Sequence, residues 1–374
     1  MIRLPVGGFV WHHFQYVAGL IRLGHEVTYF EDYGWPDSCY QPPSDVNSSD
    51  PTFGLAYLRE LLRKYELSCA LCYLAEDATA HGLSREQLAA RCRDADLYLN
   101  LSYLSWIPEL ALCRRRVLID TDPVFSQIGA HGAGGALTDY HIRFTFGENV
   151  HQPGCTMPTA DVQWLPTRQP IVTEFWPAAE GHHDAPFTTV MSWNPMGVHR
   201  FGEQLFGGKA MSFEPYFDLP ASRGEPMEIA INISAKFANP KHVRGRLTRG
   251  GWRVRNPAEV TQTPWAYQRY LRDSRAEFSV SKHGYVVTQC GWFSERSAAY
   301  LASGRPVILQ DTGFSNVLPC GQGLLAYQDR TGAIAAMDDV SENYDAHCRR
   351  ARAIAEEFFD SRRVLTRLLE QTCE

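Results

Sequence analysis

The sequence predicts an α/β protein built from two Rossmann-like domains that face each other across a cleft. Three observations support this fold. The chain has 374 residues, more than one hydrophobic core usually organises. In both halves, short apolar runs alternate with amphipathic segments, as in doubly wound α/β domains. Between Pro153 and Pro186, several prolines, a His-His pair and weak periodicity indicate a hinge between the halves.

The first half contains the elements of one such domain. Residues 2–6 are a short apolar start in the place of a first strand, and Gly7 and Gly8 follow it. A helix is expected over residues 12–23, because its apolar side chains recur at helical spacing. Later in this half we expect, in chain order, a strand at 26–31, helices at 53–65 and 84–93, strands at 96–102 and 116–120, a glycine-rich loop at 129–135 and a strand at 140–146.

The second half repeats this alternation and ends in a helical tail. We expect strands at 188–193, 228–233, 252–255, 277–280 and 306–310, helices at 267–275 and 294–302, and a helical tail at 343–374. These elements predict an N-terminal domain over residues 1–170, a C-terminal domain over 171–355 and a closing helix over 356–374. Two similar halves make the cleft between them the natural ligand site.

Composition excludes several classes of protein. Hydrophobic residues make up 44% and aromatic residues 12%, which argues against disorder. The net charge of −6 does not favour a broad nucleic-acid surface, although a local basic cleft would not show in the sum. No signal peptide and no membrane-spanning run is recognisable, so we expect a cytoplasmic protein. Cys69 and Cys72 form a C-x-x-C without a second pair, and we interpret them as buried free thiols.

The most informative stretch lies between Glu277 and Phe314. Ser294 is a good N-cap for the following helix, and the free N–H groups of that helix's first turn suit a phosphate. Asp311 to Phe314 then follow a buried strand, at the edge of the sheet where open α/β folds bind ligands. The alternative is a helix–turn–strand unit selected only for packing.

A resemblance favours the functional interpretation. The runs Ser294-Glu-Arg-Ser-Ala, Tyr300-Leu-Ala-Ser-Gly-Arg-Pro-Val and Gln310-Asp-Thr-Gly-Phe resemble the donor-binding region of two-Rossmann (GT-B) glycosyltransferases. They look most like a group of bacterial glycosyltransferase-like proteins with this signature. The resemblance implies that the nucleotide-sugar donor is held by Ser294, Glu295, Arg296, Asp311, Thr312, Gly313 and Phe314. A helix carboxylate holds the donor ribose in the larger families; Ala299 occupies the directly matching position, and Glu295 lies one turn earlier.

The N-terminal stretch carries a second resemblance. Gly7-Gly8-Phe-Val-Trp-His12, with Arg22-Leu-Gly24-His-Glu-Val-Thr28 after it, looks like the start of retaining enzymes of this kind. Glycines after a first strand let backbone amides approach a ligand closely, which places Gly7 and Gly8 in the cleft. His12 and His13 would lie at the helix start and act as general base or orient sugar hydroxyls. Either histidine could instead simply hydrogen-bond to backbone.

Two aspartates follow the strand expected at 116–120. Asp120 and Asp122 would line the cleft, where Asp122 could act as base or bind acceptor hydroxyls. The alternative is an Asx-turn whose side chains satisfy their own loop. No third ligand has convincing spacing, so no metal site is predicted.

Basic side chains are needed to neutralise a leaving diphosphate. Lys209 and Lys282 are the preferred candidates, ahead of Arg200 and Lys236. Each could instead be a solvated surface residue.

Taken with the resemblance, these features predict a hexosyl- or pentosyltransferase. It would move a sugar from a nucleoside-diphosphate donor to a nucleophile on a small-molecule or polymer acceptor. The nucleotide sugar is a co-substrate, and no cofactor is expected. Two alternatives remain open: a nucleotide-sugar epimerase or hydrolase on the same scaffold, and a non-catalytic nucleotide- or sugar-binding protein. The stereochemical outcome and the oligomeric state are not predicted.

Overall fold

The computed structural model describes residues 1–42, 44–129, 136–179, 181–194 and 197–373. The glycine-rich loop expected at 129–135 lies, after its first residue, outside the described residues. The helices of the first part of the chain are α1 Gly7–Arg22, α2 Thr52–Lys64, α3 Arg85–Asp94 and α4 Phe125–Ile128, with short 3-10 turns at Pro108–Leu112 and Leu137–Asp139. Its strands are β1 Thr28–Asp32, β2 Cys39–Gln41, β3 Val46–Ser48, β4 Ala70–Leu74, β5 Ala80–Gly82, β6 Tyr98–Leu101, β7 Arg116–Asp120, β8 Ile142–Thr145 and β9 Leu165–Pro166.

The strands of the first domain form two separate main sheets. One has the order β1-β4-β5 and the other the order β6-β7-β8-β9, while β2 and β3 make a small hairpin of their own. β1 and β4 are parallel, as are all neighbours in the second of these sheets. The sides of β7 and β8 are packed with apolar side chains, which form the core of this domain.

The second domain is built on one continuous sheet. Its strands are β10 Phe187–Ser192, β11 His199–Phe201, β12 Gln204–Phe206, β13 Met227–Asn232, β14 Arg253–Arg255, β15 Ala276–Ser279, β16 Val307–Gln310 and β17 Leu324–Tyr327. Its helices are α5 Lys209–Ser212, α6 Leu219–Arg223, α7 Pro240–Arg249, α8 Pro257–Thr261, α9 Pro264–Arg272, α10 His283–Thr288, α11 Glu295–Ala302, α12 Arg330–Glu342 and α13 Tyr344–Ile354. Six strands in the order β14-β13-β10-β15-β16-β17 run parallel, and β11 and β12 form a hairpin outside this sheet.

Most of the expected strands and helices are confirmed to within a few residues, but the N-terminus differs. Residues 2–6 form no strand, and α1 begins at Gly7 rather than at His12. The start of α1 packs directly on α9, and Trp11 Nε1 in its second turn donates to the Pro264 carbonyl at 2.8 Å. A Cβ on Gly7 would lie 2.4 Å from Tyr267 Cβ. The two glycines therefore belong to a helix–helix contact and not to a loop that follows a strand.

The end of the chain returns to the first domain. After α13, a π-helical turn over Ala355–Phe359 leads into α14 Ser361–Cys373, which packs on α1. Leu365 and Leu368 are buried in the same apolar cluster as the side chains of β7. A Cβ on Gly19 of α1 would lie 2.4 Å from Leu365 Cδ1, so the absence of a side chain there allows the close approach. None of the helices in the described ranges is long and apolar enough to cross a membrane.

Candidate functional site

The candidate site lies at the carboxyl ends of the second-domain strands, where α/β folds bind ligands. The segments that follow β10, β15 and β16 meet there with α5 and α11. Backbone hydrogen bonds hold them together: Ala210 N donates to the Trp193 carbonyl at 3.2 Å, and Gly284 N donates to the Gly207 carbonyl at 3.1 Å. The first residue of α5, Lys209, is thereby fixed beneath the loop after β15.

Lys209 is a buried cation. Its side chain is 7% exposed, and none of the described residues accepts a hydrogen bond from its ammonium group. Burial, reinforced by the nearby charge of Arg296, lowers the pKa of Lys209 well below its ordinary value, while Glu277 and Glu295 oppose this shift. A cation on a largely buried side chain without a hydrogen-bonded partner is costly, so this position favours an anion that supplies one.

Arg296 has a different role from the one expected. Its guanidinium donates to Glu277 Oε1 at 2.6 Å, to Ser279 Oγ at 2.8 Å and to the Val190 carbonyl at 2.7 Å. The charge of Glu277 therefore compensates that of Arg296 inside the domain. Arg296 anchors α11 to the sheet, and its donors are directed at the protein rather than at a ligand.

Ser294 and Glu295 begin α11 at the edge of the cleft. Ser294 is the N-cap residue, as expected, and its Oγ accepts from Arg296 N at 3.2 Å. Its carbonyl accepts from Gln169 Nε2 at 2.9 Å, which ties the helix start to the segment between the domains. The Glu295 carboxylate is half-buried and faces the first domain.

His12 is the first-domain group opposite Glu295. Both side chains line a cavity of about 10 Å³, room for about one water molecule. Burial lowers the pKa of His12, and the charge of Glu295 partly offsets the shift. His12 Nε2 lies 3.4 Å from Ser102 Oγ, whereas its Nδ1 is buried without a partner among the described residues. His12 is therefore a neutral imidazole with one nitrogen free.

His13 does not face the cleft. Its Nδ1 lies 2.9 Å from the Phe9 carbonyl one turn earlier in α1, and the ring packs at 4.3 Å from the Phe9 ring. Burial, with the nearby charges of His12 and the N-terminus, lowers the pKa of His13 well below its ordinary value. Both histidines lie in the second turn of α1 and not at its start, because the helix begins at Gly7.

Asp122 links the two domains. Its carboxylate oxygens lie 2.7 and 2.6 Å from Lys282 Nζ, and the Tyr285 hydroxyl also donates to it. The Lys282 ammonium additionally lies 4.7 Å from the centre of the Phe125 ring. The expectation of a free carboxylate base at Asp122 is not met by this geometry, because both oxygens are already engaged by a cation.

Asp120 is a structural residue. It is 1% exposed, and it accepts from Gln127 Nε2 at 2.8 Å, Thr145 Oγ1 at 2.7 Å and the Asp122 backbone N at 3.0 Å. Burial raises the pKa of Asp120, and these donors oppose the shift. The bond to the Asp122 backbone makes an Asx-turn, the alternative to a role in acceptor binding.

The loop of residues 311–314 is bonded mainly to itself and to the first domain. Asp311 accepts from Gly313 N at 2.9 Å and from Ser315 Oγ at 2.6 Å, and Thr312 Oγ1 donates to the Trp292 carbonyl at 2.6 Å. Phe314 is fully buried. The side chains expected to hold a donor are thus occupied in shaping the loop.

Sequence reasoning missed Asn149, which joins this loop to the first domain. Asn149 Nδ2 donates to the carbonyls of Gln289, at 3.0 Å, and Gly313, at 2.9 Å. Gly313 has φ of +91°, and a Cβ there would lie 2.5 Å from Asn149 Nδ2. Its position just beyond β8, at the carboxyl edge of the sheet, was the signal that could have identified it.

Gly7 is buried and Gly8 half-buried against α9 of the second domain. A Cβ on Gly8 would meet the Tyr267 ring at 3.4 Å, an ordinary contact, whereas one on Gly7 would overlap Tyr267 Cβ. These glycines therefore allow α1 to approach α9 closely. Their assignment as acceptor-binding residues is replaced by this packing role.

Two other expected features can be placed. Cys69 and Cys72 are free, and burial raises the pKa of each thiol to about 11. In the part of the chain that the structure describes, no group of three or more His, Cys, Asp or Glu side chains could hold a metal ion.

Comparisons with known proteins identify the fold. No family model and no curated protein matches the sequence. Among solved structures, an alpha-glucosyltransferase in complex with UDP-glucose and DNA is similar over 93% of this chain and 99% of its own, with 10% identity and a TM-score of 0.56. HepE of Anabaena in complex with UDP is similar over 93% of this chain and 99% of its own, with 11% identity and a TM-score of 0.50. Sucrose-phosphate synthase of Thermosynechococcus elongatus is similar over 93% of this chain and 98% of its own, also with 11% identity and a TM-score of 0.50. The chain thus has the GT-B fold, two Rossmann-like domains across a cleft, as the sequence predicts.

Proposed function

We propose that the protein is a glycosyltransferase that moves a sugar from a nucleoside-diphosphate donor to an acceptor hydroxyl. The observation that carries the proposal is Lys209, a buried lysine at the carboxyl edge of the second-domain sheet whose ammonium has no hydrogen-bond acceptor among the described residues. A diphosphate bound there supplies hydrogen-bond acceptors, and its charge adds to that of Glu277 and Glu295. The GT-B fold supports this assignment, because solved structures with that fold contain UDP or UDP-glucose.

Several groups around Lys209 fit a donor. Lys282 and Arg296 add positive potential, although Asp122 and Glu277 partly neutralise it. Glu295 extends from the first turn of α11 towards the cleft, in reach for hydroxyl groups of the donor's ribose or sugar. An ammonium positioned at a leaving diphosphate stabilises the charge that develops as the glycosidic bond breaks.

The acceptor side is the first domain, with His12 as the proposed base. Its depressed pKa keeps the imidazole neutral near pH 7, so it can take a proton from an attacking hydroxyl. His12 and Glu295 line the same small cavity from the two domains, which supports a base on the acceptor side of the donor. The acceptor is a small molecule or a polymer; DNA belongs in the test because one similar structure contains it.

Three further statements belong to this proposal. We propose that no metal ion is needed, since Lys209 takes the charge-neutralising part. We propose a cytoplasmic location, supported by the cysteines, which are free thiols wherever the structure describes their side chains. We also propose membership of the bacterial group defined by the Ser294-Glu-Arg-Ser-Ala signature, supported by the position of that run at the cleft.

Thermal-shift and calorimetric titrations with nucleoside diphosphates and their sugars test the function. We expect at least one nucleotide sugar to stabilise the protein, and Lys209→Met to weaken its binding at least tenfold, about 1.4 kcal/mol. Lys241→Met, which removes an exposed lysine of α7, is the matched control and should bind normally. If no nucleotide or nucleotide sugar binds, or if both variants bind equally well, the proposal is wrong.

Turnover distinguishes the alternatives. Sugar transfer requires an acceptor, so we expect donor consumption to rise when hydroxyl compounds, glycans or DNA are added. Donor conversion at full rate without any acceptor would identify an epimerase or hydrolase. Tight donor binding without consumption under any acceptor would identify a binding protein.

A further inference from the structure

The first domain has an open slot in the middle of its sheet. Its two main sheets end at β1 and β6, and neither strand has a second neighbour among the described residues. Between these two edges lies a cavity of about 430 Å³, lined by residues 25–31 on one side and 94–101 on the other. The backbone N–H and C=O groups on the open edges of β1 and β6 therefore face this cavity, which separates the two strands.

The second domain shows what such a position normally holds. There, β10 is the first strand of the domain in chain order, and it lies between β13 and β15, parallel to both. In the first domain, β1 and β4 correspond in order and position to β13 and β14, and β6 and β7 to β15 and β16. In the described part of the first domain, no strand corresponds to β10. Its position would be between β1 and β6, which is the slot.

Helix connectivity gives the same result. In a doubly wound fold, a helix crosses over between two parallel strands of one sheet. α1 leads into β1, but no strand precedes it among the described residues. The crossover is complete only if a strand that runs parallel to β1 leads into α1.

Met1 lies where such a strand would end. Its amino group donates to Glu31 Oε2 and to the Tyr29 hydroxyl, each at 2.7 Å, near the carboxyl end of β1. A strand parallel to β1 ends at that same edge of the sheet. Residues attached to the amino group of Met1 would therefore enter the slot from its carboxyl end.

The walls of the slot fit an apolar strand. β1 and β6 are largely half-buried, whereas the central β15 and β16 of the second domain are buried along their whole length. Tyr29, Leu97 and Leu99 are among the apolar side chains that line the space. Central strands of parallel sheets are continuous apolar runs, so the occupant that fits is one of these.

We propose that the slot is the seat of one further parallel β-strand, a mainly apolar segment of about five residues joined to Met1. Its length follows from β1, which has five residues. It hydrogen-bonds to β1 on one side and to β6 on the other and unites the two sheets.

The strand is tested by adding it. A Met-Lys-Val-Leu-Val-Val segment fused before Met1 is compared with the 374-residue chain and with a matched segment in which proline replaces the leucine and the last valine. Proline removes the N–H groups that a central strand needs. We expect the valine segment to slow amide hydrogen exchange of β1 and β6 at least tenfold and to raise the Tm, and the proline segment to do neither. Equal exchange in all three proteins would overturn the proposal.

A second measurement tests the source of the strand. Mass spectrometry of the N-terminal peptide of the protein made by its own cells should find apolar residues before Met1. The same peptide supplied free should protect β1 and β6 only at high concentration, because the joined segment has the larger effective concentration. A native protein that begins at Met1, or a free peptide as effective as the fused one, would overturn attachment to Met1.

Discussion

Lys282 Nζ in the second domain lies 2.7 and 2.6 Å from the two carboxylate oxygens of Asp122 in the first domain. The residues are 160 positions apart. Asp122 follows β7 and Lys282 follows β15, each at the carboxyl edge of its own sheet. The Tyr285 hydroxyl donates to the same carboxylate, and burial beside Asp122 raises the pKa of Tyr285 well above its ordinary value. The pair therefore closes the cleft at one side through a charged contact.

We expect the Asp122–Lys282 contact to stabilise the protein. Asp122→Asn should lower the free energy of unfolding by about 1–2 kcal/mol, a modest value because the Asp122 side chain is 34% exposed and solvent screens the charge. A double-mutant cycle with Lys282→Met measures the coupling. The exposed Arg255–Glu259 pair is the control, with an expected coupling below about 0.5 kcal/mol. Coupling at 122–282 no larger than in the control would contradict the prediction.

Lys209→Met should stabilise the free protein while it removes donor binding. The folded protein holds Lys209 with a lowered pKa, whereas the unfolded chain has the ordinary lysine pKa of about 10.4. Between these two values the unfolded state binds more protons, so stability rises with pH through this window. Chemical denaturation at several pH values should show that rise in the natural chain. Lys209→Met should lack this rise, and Lys241→Met should retain it. If the free energy of unfolding of Lys209→Met rose with pH as steeply as that of the natural chain, Lys209 would not be the group responsible.

The same pKa makes donor binding depend on pH. A diphosphate requires the charged ammonium, which is lost as the pH rises through the lowered pKa of Lys209. Donor affinity should therefore fall as the solution is made alkaline, well before ordinary lysines titrate. Calorimetric titration across that range measures the effect, and an affinity independent of pH up to about 10 would contradict it.

The two neighbouring histidines should differ in their effects. His12→Gln should lower kcat by about 100-fold or more, the contribution typical of a general base. The rate of the natural enzyme should fall on acidification, as the neutral imidazole of His12 becomes protonated below its ordinary pKa. His13→Gln changes a side chain bonded to the Phe9 carbonyl and should mainly lower stability. Steady-state kinetics measure kcat and thermal melts measure the stability of both variants. Similar kcat values for the two would exclude His12 as the base.

The adjacent glycines provide a test of the domain contact. Gly7→Ala forces Tyr267 or the helix to move and should cost about 1–3 kcal/mol, as overpacking does. Gly8→Ala meets the Tyr267 ring at an ordinary distance and should be neutral or stabilising, since alanine favours a helix. Urea denaturation compares them. A larger loss for Gly8→Ala than for Gly7→Ala would show that α1 does not approach α9 as described.

Local signals predicted the elements around α11 well, whereas β17, α7 and α12 of the second domain were not predicted. Ser294 as N-cap, the small residues of α11 and the apolar run of β16 are close in sequence, and their hydrogen bonds and packing follow from that order. β4 is not predicted as a strand, because its one cysteine and its alanine lie in a short apolar run without alternation. Short runs of this kind do not distinguish strand from buried loop or helix.

The site residues were harder to predict, because their partners are distant in the chain. Gly7 packs against Tyr267 of α9, and the Asp122 carboxylate is engaged by Lys282, so both contacts join residues far apart in the chain. The spacing of Asp120 and Asp122 suggested a pair of carboxylates with one role. Burial and hydrogen bonds separate them into an internal turn residue and an interdomain contact.

The return of α14 to the first domain affects how the chain folds during synthesis. Leu365 and Leu368 complete an apolar core that includes the side chains of β7 and β8, which lie more than 200 positions earlier in the chain. On the ribosome, that core stays incomplete until α14 has been synthesised. The second domain, whose sheet is made of one continuous stretch of chain, can fold first. Folding of the N-terminal half is therefore expected to wait until α14 has left the ribosome, and its exposed apolar surface is a natural client for chaperones in the interval.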